Sequence, residues 1–179
     1  METELKVCVL GYGAPKYPLY DGNNGHYLFA MLKTLERLKP PSVDLYLAGG
    51  HTTRLDLSEA EAMKIWLDHY RLPDYCTVRL LEKGVTTNEN LINFKEAVGD
   101  TAVVIFCEHS LKDVVNFLAS KLFKRFIIYG IEFDERKKNV WHRLKQSTWR
   151  LWLEEAAWHS KRVEQFRQWL KARQLKHLR

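Results

Sequence analysis

Five short groups of glycine or polar residues stand where an apolar run ends, and each is made of types that can hold or work on a small molecule. Gly11-Tyr12-Gly13 closes the run LKVCVL, and Gly49-Gly50 closes VDLYLA, followed at once by His51, Thr52, Thr53 and Arg54. Thr86-Thr87-Asn88-Glu89-Asn90 comes a short turn after TVRLL, Glu108-His109 closes AVVIFC, and Glu132 comes shortly after FIIY. A glycine pair lets backbone N–H groups approach a phosphate or carboxylate. It serves a tight strand-to-loop turn equally well, and no third glycine completes a GxGxxG pattern after Gly11 and Gly13. The polar run beside Gly49 and Gly50 is more than a plain turn requires. At Thr86–Asn90 one residue suffices to cap a helix, so the excess of short hydrogen-bonding side chains points to ligand contact by Thr87, Asn88 and Asn90. Glu108-His109 suits acid-base work or a grip on a ligand, the plainer alternative being a histidine that lines a helix start. His51, His109 and the carboxylates fall on separate loops with no metal-ligand spacing, so no metal is predicted. There is no P-loop and no GxSxG elbow.

These groups recur because the chain alternates strands and helices. The spacing predicts strands over residues 5–10, 43–48, 77–81, 102–107 and 126–129, the fourth being the most apolar and therefore central. Between them lie helical patterns. The first has apolar positions Leu28, Met31, Leu32, Leu35 and Leu38, with Asn23 or Asn24 as its cap, and Pro40-Pro41 stops it. The second begins at a Ser58/Glu61 capping box and continues through Ala62, Ile65, Trp66 and His69. The third is capped by Thr86 (with Glu89) or by Thr87, and the fourth by Ser110. Such alternation predicts an α/β fold, a Rossmann-like three-layer α/β/α arrangement of about five parallel strands, with further helices at the C-terminus. In an open parallel sheet, ligands bind outside the carboxyl ends of the strands, where the strand order reverses. All five polar groups fall there.

The chain has 179 residues, 46% of them hydrophobic and 28% charged, a globular balance with room for a real core. An acidic start and the lack of any long apolar run speak against a signal peptide or a membrane span, so a cytoplasmic location is expected. Cys8, Cys76 and Cys107 match no paired spacing, and the first and last sit inside apolar strands as small buried side chains. The net charge of +6 is uneven: 13 of the 28 Lys/Arg but only 3 of the 22 Asp/Glu lie from Arg136 onward.

The combination Ala48-Gly49-Gly50, Ser58-Glu59-Ala60-Glu61-Ala62-Met63 and Thr87-Asn88-Glu89-Asn90, with Gly11 after the first strand, resembles the DUF218 (YdcF-like) family in order and spacing over roughly residues 5–130. The resemblance implies a Rossmann-like domain. Some members are linked to the bacterial envelope, and one relative is described as binding S-adenosylmethionine. Carried over by position, Gly49, Gly50, Glu59, Glu61, Thr87, Glu89 and Asn90 match the family motifs, and His109 matches the histidine after the fourth strand. The chain departs from that pattern at Ala48, where the family has serine, at Lys112, where it often has arginine, and around Gly25-His26, where an arginine is expected. Lysine is a point charge and does not grip an anion bidentately.

The expected organisation is a Rossmann-fold domain over 1–134 and a basic, Trp-rich helical extension over 135–179 packed on it. The extension carries Trp141, Trp149, Trp152, Trp158 and Trp169, and Val163, Phe166 and Leu170 recur at helical spacing as its packing face. The expected function is binding of a small anionic or nucleotide-like ligand, with S-adenosylmethionine the cofactor the resemblance implies. Gly11, Gly13, Gly49, Gly50, Thr87, Asn88 and Asn90 are the binding candidates, and His109 is the acid-base candidate. Two rivals stand beside it. One is a non-catalytic module that binds nucleic acid or protein through the basic helices. The other is a hydrolase or transferase acting on envelope precursors, with His109 and Glu59 as its catalytic residues.

Overall fold

The computed structural model describes residues 4–53, 55–133, 151–163, 165–166 and 169. Five strands, β1 (Leu5–Leu10), β2 (Val43–Ala48), β3 (Cys76–Leu81), β4 (Val103–Glu108) and β5 (Phe126–Ile131), form one sheet in the order β3-β2-β1-β4-β5. All four pairings are parallel. The α/β Rossmann-like layout is therefore present. Its helices are α1 (Gly22–Leu38), α2 (Glu59–Tyr70), α3 (Thr87–Val98) and α4 (Lys112–Leu122), the last preceded by a 3-10 turn at His109–Leu111. β1, β2 and β4 are inner strands, and every residue of β2 and β4 is buried, as expected of strands covered on both faces. The central strand is β1 rather than β4.

Right-handed crossovers put α1 and α2 on one face and α3 and α4 on the other. On the first face Tyr27, Leu28, Met31 and Leu35 of α1 pack with Ala60, Met63, Trp66 and Leu67 of α2 over Val7, Leu45 and Phe106. On the second, Leu91 and Phe94 of α3 and Val114, Val115 and Leu118 of α4 cover Cys8, Leu10, Ile105 and Cys107. Each large aliphatic side chain buried this way contributes about 1.5–3 kcal/mol. The direction of the chain thus reverses between β1 and β4, which makes the ends of those two strands the switch point.

Several local expectations change. Asp21, not Asn23 or Asn24, caps α1: its Oδ1 accepts from the Asn24 N–H at 2.7 Å, so the helix starts at Gly22 despite two glycines in its first turn. Leu38 and Ile65 fall on exposed helix faces. Ser110 caps nothing; α4 is continued from the 3-10 turn with no side-chain cap. β4 runs to Glu108 and β5 to Ile131, one and two residues past the expected ends at 107 and 129. Ser58 and Thr86 do form full capping boxes with Glu61 and Glu89.

The amino-terminal end of the sheet holds a charge cluster. Asp44, buried in β2, accepts from Lys6 Nζ at 2.8 Å, Arg79 Nε at 2.9 Å and the Tyr46 hydroxyl at 3.2 Å. Burial alone would raise its pKa, but the bonds from Lys6 and Arg79 outweigh this and hold it below the usual aspartate value.

Residues 151–159 and 161–163 are helical. Leu151 packs against the α3/α4 side of the core, and Ala157 is buried. Phe166 and Trp169 stack on each other at 5.9 Å yet are both exposed, so the expected packing face is not buried there. Trp141, Trp149 and Leu170 lie outside the described residues. Among the described residues no helix is long and apolar enough to cross a membrane.

Candidate functional site

Glu59 is the hub of the strand-end surface. It is the first residue of α2, only 8% exposed, and its carboxylate lies against the glycines that end β1 and β2. A Cβ on Gly11 would stand 2.7 Å from the Glu59 Cβ, and one on Gly49 would stand 2.6 Å from its Oε2. Neither glycine has a positive φ, unlike Gly13 at +114°. The requirement at Gly11 and Gly49 is thus close approach, and the approaching group is Glu59. Thr52 donates a short hydrogen bond to Glu59 Oε1. The backbone completes the junction: Gly11 N–H donates to Ala48 O at 2.7 Å, and Glu59 N–H to Gly50 O at 3.1 Å. A carboxylate in the first turn of a helix is favoured by the exposed N–H groups there.

The next loop is tied to this junction. Gly50 N–H donates to Gly84 O at 2.7 Å, and a Cβ on Gly50 would meet the Gly84 carbonyl oxygen at 2.8 Å. Gly84 in turn lies against Asn90, 2.8 Å from a Cβ to the Asn90 backbone nitrogen. Gly11, Gly49, Gly50, Glu59, Thr52 and Asn90 are therefore brought into one continuous assembly. Thr87 follows as the first residue of α3, partly exposed beside Asn88.

Five buried side-chain atoms among the described residues have no hydrogen-bond partner. Four of them, on Asn24, Asn88, Asn90 and Ser110, belong to the starts of α1 and α3 and to the turn before α4, the segments that follow β1, β3 and β4. Asn24 and Asn90 are 4% and 6% exposed. An unmet buried polar group costs about 1–3 kcal/mol, and here the cost gathers in segments that follow the carboxyl ends of the strands.

His109 stands across the switch point. Its Cα and Nδ1 would lie 3.2 and 3.3 Å from a Cβ on Gly130, with the Lys112 side chain at 3.1 Å. Glu108, the last residue of β4, is buried, and Glu132 follows β5. With β1 between β2 and β4 and strands about 4.8 Å apart, Gly49 and His109 are roughly 10 Å apart across the strand ends. The structure does not join His109 to Glu59 directly. Glu59 lies at the ends of β1 and β2 and His109 at the end of β4, on either side of the switch point. An aromatic group absent from the sequence reading stands beside it: Phe133 meets Tyr12 edge-on at 4.6 Å and Tyr27 at 5.0 Å, and the Tyr27 hydroxyl donates to Leu10 O at 3.0 Å. Its only sequence signal was an aromatic residue just past the first and last strands.

Glu82, the residue after β3, lies in the short turn before Thr86. It accepts from Ser58 Oγ at 2.7 Å and brings a further carboxylate to the α2 start. Arg54, the cation of the loop after β2, lies outside the described residues. Cys8 and Cys107 are buried, and burial raises the Cys8 thiol strongly and the Cys107 thiol to about 12.

Compared with protein-family models, with characterised proteins and with solved structures, the chain finds no match in any of the three.

Proposed function

We propose that the protein binds a small nucleoside-like molecule in the crevice at the carboxyl ends of β1, β2 and β4. The observation that carries this reading is the set of unpaired buried polar atoms on Asn24, Asn90 and Ser110, in the segments that follow β1, β3 and β4. Amide and hydroxyl groups at these positions suit the polar edges of a base and the hydroxyls of a sugar. Glu59, Glu108 and Glu132 make the same side rich in carboxylate. That favours a ligand presenting hydroxyl or cationic groups over a bare anion. S-adenosylmethionine, the ligand that the family resemblance implies, has a ribose diol, a sulfonium and an ammonium group and fits this charge pattern. His109 is the acid-base candidate at the far side of the crevice. Titration calorimetry with S-adenosylmethionine, adenosine, a sugar phosphate and inorganic phosphate tests the reading. The first two should bind, more weakly after Asn90→Ala. Heat from phosphate alone would count against it.

A second reading rests on the basic C-terminal helices, where Trp152 and Trp169 are 57% and 52% exposed. Exposed aromatics among Lys and Arg suit stacking on single-stranded nucleic acid. Salt-dependent RNA binding that disappears on truncation at Arg136 would support it, and binding that survives the truncation would oppose it.

A further inference from the structure

The spacing of histidines and carboxylates along the chain suggests no metal site, but folding brings three such side chains together from three different elements. His51 comes from the loop after β2, Glu61 from the first turn of α2, and Glu82 from the residue after β3. One ligating atom from each lies within 4.8 Å of the other two. We propose that this triad, on the β2/β3 side of the strand ends, is a binding site for a divalent transition-metal ion.

The donor set is an imidazole and two carboxylates, which suits borderline cations such as Zn2+ and Mn2+. The capping box explains Glu61, whose Oε2 accepts from Ser58 N–H at 2.8 Å. It does not explain Glu82, which reaches the same serine from another strand and places a second negative charge beside the first. Like charges held this close repel. A cation removes that cost. The fully buried Ser58 bonds one oxygen of each carboxylate, its N–H to Glu61 Oε2 and its Oγ to Glu82 Oε1, which leaves the other oxygen of each outside these bonds. Hydrogen bonds of this kind fix carboxylate ligands in established metal sites. The three side chains need only a small closure to coordinate one ion, with water completing the shell.

The test is titration calorimetry of the full chain, stripped with chelator, against Zn2+, Mn2+ and Mg2+, with circular dichroism to confirm folding of each variant. The expected result is one Zn2+ or Mn2+ per chain, bound at least tenfold more tightly than Mg2+. His51→Ala and Glu82→Gln should each weaken binding tenfold or more; the glutamine keeps an oxygen for Ser58. His69→Ala, on the exposed far end of α2, should change nothing. Absence of binding would overturn the proposal, as would Mg2+ binding as tightly as Zn2+, or binding untouched by His51→Ala and Glu82→Gln. These outcomes do not depend on the nucleoside reading, which is tested at Asn90 without metal.

Discussion

The carboxylate of Glu59 fills the space that a side chain on Gly49 would need: a Cβ there would lie 2.6 Å from Oε2 and 2.7 Å from the Glu59 Cβ. The second distance matters more, because the Cβ of a helical residue cannot swing aside as a carboxylate can. Gly49→Ala should therefore destabilise the fold by about 1–3 kcal/mol, the range for overpacking. Glu59→Gly in the same chain should recover part of the loss. A double-mutant cycle by urea denaturation measures this coupling, with about 0.5 kcal/mol or more expected between the two positions. Additive effects would mean that the contact does not set the glycine requirement.

The two capping boxes should differ in cost. Thr86→Ala removes one cap and should cost about 1 kcal/mol. Ser58 is fully buried and also donates to Glu82, so Ser58→Ala removes a cap and leaves a carboxylate without its donor. A loss of about 2 kcal/mol is expected in the same denaturation measurement. Equal costs would remove Glu82 from the account.

Asp44 predicts an acid-dependent term. Its folded pKa is lowered from 3.8 by Lys6 and Arg79 against the effect of burial. Its contribution is therefore fully present above the unfolded value and is lost as pH falls through the lowered folded value. The Lys6 pKa is raised above 10.5, chiefly by its bond to Asp44, so its share is complete below that value and lost only as pH rises past the folded one. Asp44→Asn should cost about 1–3 kcal/mol at neutral pH. The gap between variant and wild type should narrow as pH drops below about 4. A gap constant from neutral pH down to pH 2 would contradict the assignment.

Strand alternation, the two capping boxes and the strand-end placement of polar groups were legible because they depend on neighbours within a few residues. The joint role of Gly11, Gly49 and Glu59 was not. Gly49 and Glu59 are ten positions apart and Gly11 is farther still, and only parallel pairing of β1 with β2 brings the two glycines under one side chain. The same holds for His51, Glu61 and Glu82, which share no motif and meet only through the β2-β3 pairing and the capping of α2. Ser110 shows the reverse failure: a good cap residue by type, placed inside a 3-10 turn where its hydroxyl caps nothing.

The central claim is that the strand-end crevice holds a nucleoside-like ligand through Glu59 and Asn90. The most direct measurement is titration calorimetry of wild type, Glu59→Gln and Asn90→Ala with S-adenosylmethionine, each variant first shown to be folded. The account predicts saturable binding to wild type and affinity at least tenfold lower in both variants: Asn90→Ala loses the amide that meets the ligand, and Glu59→Gln loses the negative charge that favours a cationic one. No saturable binding by folded wild type, or equal affinity in all three proteins, would contradict it.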